Sequence, residues 1–129
     1  MPAAFDPKAA TFLRVANAAI PLVVRAGYGR IVGVSGQNAF LTGNVTGSVR
    51  NAALVIAAKN LADGVAGSGV TINTLSPGTV PAAPAAEVAP GRGGESSPEQ
   101  IAFLVSPLAG AISGESLAIG HRVRGVTSL

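Results

Sequence analysis

Apolar residues recur at helical spacing through the first segment. Phe12, Val15, Ala16, Ala19, Ile20 and Val23 share one face of a helix predicted over residues 6–27. Asp6 is a suitable N-cap, Pro7 suits the first helical position, and the Gly-Tyr-Gly run at 27–29 ends the helix. Pro21 predicts a kink. Residues 30–35 (Arg-Ile-Val-Gly-Val-Ser) are β-branched and nearly all apolar, the pattern of a buried parallel strand. A polar, glycine-containing loop over 36–46 leads to a second helix over 47–65. That helix carries Ala52, Ala53, Val55, Ile56, Ala57, Ala58, Leu61 and Ala62 around most of its circumference, which predicts burial on more than one side. A second strand is predicted over 70–75, followed by a Ser-Pro-Gly turn at 76–78.

Residues 79–96 are rich in Pro, Ala and Gly without periodicity and read as a flexible lid segment. Ser97, Pro98 and Gln100 form a capping-box pattern for a short helix ending near Val105, before Pro107. A turn over 110–114 and a last strand over 116–119 follow; residues 120–129 have no assignable pattern. Strands alternating with helices imply an α/β unit with a parallel sheet. The 129 residues make one domain, with a thin three-stranded sheet that leaves an edge bare.

Composition narrows the chemistry. With no Cys, disulfides, thiolate metal sites and thiol catalysis are excluded, and a cytoplasmic setting fits. His121 is the only histidine, so no multi-histidine metal site exists and none is expected. The net charge of +3 is scattered along the chain, which argues against a nucleic-acid partner. Residues 15–24, the most apolar stretch, are interrupted by Asn17 and Pro21 and fall short of the ~18 residues of a membrane span. Charged residues are only 12% of the chain, low for a surface shown wholly to water, which points to coverage by a partner or by further chain.

Several stretches, in order, resemble the short-chain dehydrogenase/reductases. Residues 29–35 resemble the strand that ends at that family's catalytic serine. Asn-Ala-Ala-Leu at 51–54 and Lys-Asn-Leu-Ala-Asp at 59–63 resemble the helix after its Tyr-x-x-x-Lys motif. Val-Thr-Ile-Asn at 70–73 running into Ser-Pro-Gly at 76–78 resembles its next strand and the turn beside the nicotinamide. Residues 97–102 and 112–114 resemble its closing helix and turn. The resemblance implies a Rossmann-like, doubly wound parallel sheet. It covers the C-terminal half of that fold only, with about three strands and three helices; the Gly-x-x-x-Gly-x-Gly loop that cradles the pyrophosphate is not matched.

The same resemblance implies a set of site positions. Ser35 matches the serine that holds the substrate oxygen, although a strand-end serine bonding to backbone is the alternative. The tyrosine position is Gly47 and the lysine position is Asn51, neither able to pass or tune a proton. Pro77, Gly78, Thr79 and Val80 match the backbone that contacts the cofactor, NAD or NADP, while a threonine of the family pattern is Ala82 here. The family's asparagine position falls near residues 6–8, where no asparagine stands, and Asn17 is about two turns too far along. Among other candidates, Arg50 near the vacant motif suits an anionic group or else lies solvated on its helix. Ser48 stands beside it, Tyr28 precedes its strand and reads as structural, and His121 reads as a surface residue.

Two functions follow. One is an NAD(P)-linked oxidoreductase interconverting alcohols and ketones, catalytically impaired as this chain. The alternative is a non-catalytic relative serving as a binding or oligomerisation module, a homo-oligomer formed through the helices near 7–27 and 47–65, as the resemblance implies. A hydrolase built on Ser35 is a third and weaker reading, because no acid is evident to orient the one histidine.

Overall fold

The computed structural model describes residues 2–40, 42–77, 98–120 and 122. Helix α1 spans Pro2–Ala26, strand β1 Gly29–Val34, helix α2 Val45–Gly64, strand β2 Val70–Pro77, helix α3 Glu99–Val105 and strand β3 Ser116–Ile119. The strands form one sheet in the order β1-β2-β3, and both pairings are parallel. This is the Rossmann-like α/β arrangement expected from the strand and helix pattern. Among the described residues β1 and β3 are both edge strands.

Period-two alternation divides each strand between two cores. Ile31 of β1 and Val70 and Ile72 of β2 face α1 and α2, packing with Ala58, Ala62, Phe12, Ile20 and Val23. Val32 and Leu75 face the other way, onto Leu104 of α3 and Ala109. Helices therefore cover both faces of the sheet, which explains why its strands are nearly unbroken apolar runs.

Glycine sets how closely α1 approaches. A Cβ at Gly33 would lie 3.0 Å from Phe12 Cε2 and 3.2 Å from Phe12 Cδ2, so the bare backbone lets the ring rest on β1. Lys8 stands one turn before Phe12 on α1, and this contact fixes the height at which its side chain reaches across to α2.

Several boundaries differ from the sequence expectation. Helix α1 begins at Pro2, so Asp6 lies inside it and is not its cap; Pro2, not Pro7, takes the first-turn place, and Ala3 and Ala4 are good helix formers. The helix continues through Pro21 to Ala26. By length and composition its Lys8–Ala26 stretch is enough to cross a bilayer, longer than the apolar pattern over 15–24 suggested. Helix α2 starts at Val45, two residues early, because Asn44 caps it: its side-chain oxygen accepts from Gly47 N at 3.0 Å. A 3-10 turn at Gln37–Phe40 interrupts the expected loop. Helix α3 starts at Glu99 after Pro98, with no side-chain cap on Pro98. Ser97, the lid over 79–96 and the segment after Arg122 lie outside the described residues.

Candidate functional site

In a parallel sheet with crossover helices, the carboxyl ends of the strands face the amino ends of the helices, and ligands bind there. Ser35, just past the end of β1, is buried, and its hydroxyl donates to the main-chain carbonyl of Asn51 at 2.9 Å. That bond is the strand-end arrangement weighed as its alternative role. The main-chain N–H of Ser35 donates to Leu75 O at 2.6 Å and extends the β1–β2 ladder by one residue. The register Val34↔Leu75 then sets Ser35 beside Ser76, on the same face of the sheet by alternation.

Ser76 was not singled out from sequence, where it reads as part of a turn. It is 0% exposed and its Oγ has no hydrogen-bond partner, as is also true of Thr74 Oγ1 two residues earlier. Buried hydroxyls without partners are rare enough to mark a strained or functional place. Asn73, also fully buried, is by contrast satisfied: its Nδ2 donates to Ile112 O at 3.0 Å and its Oδ1 accepts from Glu115 N at 3.1 Å. It ties β2 to the turn before β3.

The two helices meet above this edge. Gly47 and Asn51, the positions matching the tyrosine and lysine, are both buried on the inner face of α2. Lys8 on α1 donates from Nζ to Asn51 Oδ1 at 2.5 Å. An ammonium thus sits against the lysine position although α2 supplies none, and it arrives from α1, near where the family pattern has its asparagine. Nothing in the helical pattern of either segment pointed to this contact, which depends on the approach of α1 to β1 at Gly33. Burial lowers the Lys8 pKa from its ordinary value, and the positive charge of Arg50 lowers it further. Arg50 is half-buried, and its Nε is buried without an acceptor.

The other candidates disperse. Pro77 ends β2 at the site edge, opposite Ile119 of β3, while Gly78, Thr79, Val80 and Ala82 lie outside the described residues, as does His121. Tyr28 stands at the opposite end of the sheet, its ring 4.4 Å from the Arg30 guanidinium and its hydroxyl 3.4 Å from Val105 O. Asn17 is exposed on α1, and Ser48 donates its main-chain N–H to Asn44 O within the helix cap. Among the described residues no group of His, Cys, Asp and Glu is placed to hold a metal.

To hold a nicotinamide dinucleotide takes a glycine loop joining strand to helix, and proton transfer beside it would take a donor where Gly47 stands. Of the described glycines with positive φ, Gly27, Gly67, Gly69 and Gly114 precede strands, at the end of the sheet away from the site; Gly43, before α2, and Gly120, after β3, lie at the site end but in no Gly-x-x-x-Gly-x-Gly run. The described residues therefore fit only one margin of such a cofactor, at Pro77, and no reaction step is derived through it.

Solved structures share this arrangement. The NADPH-dependent reductase YwfH, involved in bacilysin biosynthesis, superposes with a TM-score of 0.79 at 24% identity, over 95% of this chain and 57% of its own. The TT0495 protein from Thermus thermophilus gives 0.74 at 20% identity, over 92% and 58%. A protein described as a betaketoacyl-ACP reductase gives 0.74 at 24% identity, over 89% and 55%. The chain resembles the short-chain dehydrogenase/reductases in fold. It spans a little over half the length of these proteins. No protein-family model and no curated protein matches the sequence.

Proposed function

We propose that this chain is a short-chain dehydrogenase/reductase-like protein, of the NAD(P)-linked oxidoreductase type but catalytically impaired as it stands. The fold shared with an NADPH-dependent reductase supports the oxidoreductase reading. The impairment rests on one observation: at the site, buried Gly47 offers no hydroxyl, and Asn51 spends its side-chain oxygen on Lys8. Without a positioned acid, proton transfer to a carbonyl oxygen loses roughly 10²–10⁴-fold. In this reading Pro77, Gly78, Thr79 and Val80 line the cofactor edge, Ser35 borders the substrate, and the chain works in the cytoplasm, away from nucleic acid and membranes. Calorimetric titration with NADH and NADPH, followed by turnover assays on small ketones, tests it. Weak or no binding and no turnover are the expected results; reduction at a rate typical of working dehydrogenases would overturn the impairment.

A second reading, the non-catalytic assembly module, has its own support. The outer faces of α1 and α2 form an apolar groove lined by Ala9, Ala10, Leu13, Val49, Ala53 and Ile56, among others. Val15 and Leu22 are also exposed, at 65% and 63%. Small residues along both helices suit close packing against the same pair in a second copy. Sedimentation equilibrium showing a stable dimer, lost on Ile56→Glu, would favour it; a monomer at all concentrations would remove it.

A further inference from the structure

We propose that Lys8 and Arg50 together form a binding site for an oxyanion, the carboxylate or phosphate group of a small molecule, between α1 and α2 at the carboxyl end of the sheet. Two cations come there from different helices: Lys8 of α1 is hydrogen-bonded to Asn51 of α2, the residue next to Arg50, and the Arg50 charge adds to burial in lowering the Lys8 pKa. No described carboxylate pairs with either. The ion pair that α2 does make, Lys59 with Asp63 at 2.6 Å, lies toward the helix's other end, its nearer member roughly 14 Å along the axis from Arg50.

The donors at this place outnumber their acceptors. The Lys8 ammonium has three N–H bonds, and the hydrogen bond described for it goes to the neutral oxygen of Asn51. Arg50 Nε is buried with no acceptor at all. A buried guanidinium N–H left unpaired is unfavourable, and so are like charges in a partly desolvated place. One oxyanion relieves both, because it accepts from ammonium and guanidinium at once and cancels their repulsion. The inference does not depend on nucleotide binding, since it concerns a group any small acid carries.

The test is an NMR titration of the whole chain with inorganic phosphate and, separately, acetate, using sodium chloride at matched ionic strength as control. Saturable shifts at the Lys8 ammonium, Arg50 Nε and the Asn51 amide are expected. Arg50→Gln should weaken binding by roughly tenfold or more, while Arg50→Lys, which keeps the charge, should retain part of it. Lys8→Met removes a desolvated charge and is expected to fold, giving an independent check. Preference for phosphate identifies a phosphate-bearing ligand, and preference for acetate a carboxylic acid. Shifts reproduced by chloride, no saturation with either anion, or unchanged binding in Arg50→Gln and Lys8→Met would each overturn the site.

Discussion

Lys8 and Asn51 are 43 residues apart, yet the Lys8 ammonium donates to the Asn51 side-chain oxygen at 2.5 Å, joining α1 to α2 over the carboxyl end of β1. Asn51 also receives the Ser35 hydroxyl on its main-chain carbonyl, so one residue links both helices to the strand. A double-mutant cycle with Lys8→Met and Asn51→Leu isolates the contact. For a hydrogen bond to a charged group that is partly open to water, the expected coupling is about 1 kcal/mol. Additive effects of the two changes in urea unfolding would show that the pair does not couple.

The depressed Lys8 pKa sets the sign of a pH dependence. Folding lowers the affinity of this amine for its proton, through burial first and the Arg50 charge second. Between the folded-state pKa and the ordinary value of 10.5, the unfolded chain therefore holds more protons than the folded one. Stability then rises with pH through that window, as the unfavourable ammonium in the folded chain discharges. The groups facing it across the helices are the Arg50 guanidinium and the neutral Asn51 amide. Urea midpoints measured from neutral pH up to 10.5 should climb more steeply in the native chain than in Lys8→Met. Equal slopes would mean Lys8 is as well solvated folded as unfolded.

Much of the fold was legible in the sequence because it is written in local patterns. The β-branched runs at Ile31 to Val34 and Val70 to Leu75 read as buried parallel strands, and the structure extends them by no more than two residues at either end. The amino ends of the helices were harder. Asp6 followed by Pro7 reads as a cap, but alanines upstream continue the helix back to Pro2. Asn44 is a readable N-cap, but it stands in the polar, glycine-containing stretch read as a loop up to residue 46. The site was legible only as positions. Gly47, Asn51 and Ser35 could be aligned along the chain, whereas the ammonium that meets Asn51 comes from another helix. Its arrival depends on a glycine, Gly33, that lets Phe12 settle on β1. Likewise the isolation of the Ser76 hydroxyl follows from burial on a particular face, which a sequence does not record.

Thr74 and Ser76 predict a trade of stability against binding. Each buries a hydroxyl with no partner, at 1% and 0% exposure. Replacing it by an apolar group of similar shape removes an unmet polar group. Thr74→Val and Ser76→Ala should each raise stability by about 1 kcal/mol, read as a higher unfolding midpoint. If Ser76 exists to meet a ligand, its variant should also lose affinity for that ligand while Thr74→Val does not. A destabilised Thr74→Val would reveal an acceptor for that hydroxyl in solution.

The turn into β2 offers the sharpest steric test. Gly69 has φ +88, and a Cβ built there would lie 2.1 Å from the carbonyl oxygen of Gly27 and 2.8 Å from its carbon. The obstruction is backbone, so no side-chain rotation relieves it. The carbonyl of Gly69 also accepts from Gly29 N at 3.3 Å and from Arg30 Nη1 at 3.2 Å, so a shift of this residue would disturb the start of β1 as well. Gly67, two residues earlier, has a similar φ of +81 but nothing within 4 Å of its Cβ position. Alanine at Gly67 therefore meets backbone strain alone, about 1 kcal/mol, since a left-handed conformation is disfavoured once a Cβ is present. Alanine at Gly69 meets the same strain and a backbone overlap, for a total of about 3 kcal/mol or more. Parallel urea unfolding of the two variants separates the contributions. Equal losses at both positions would show that the close approach of Gly27 to Gly69 is absent from the folded chain.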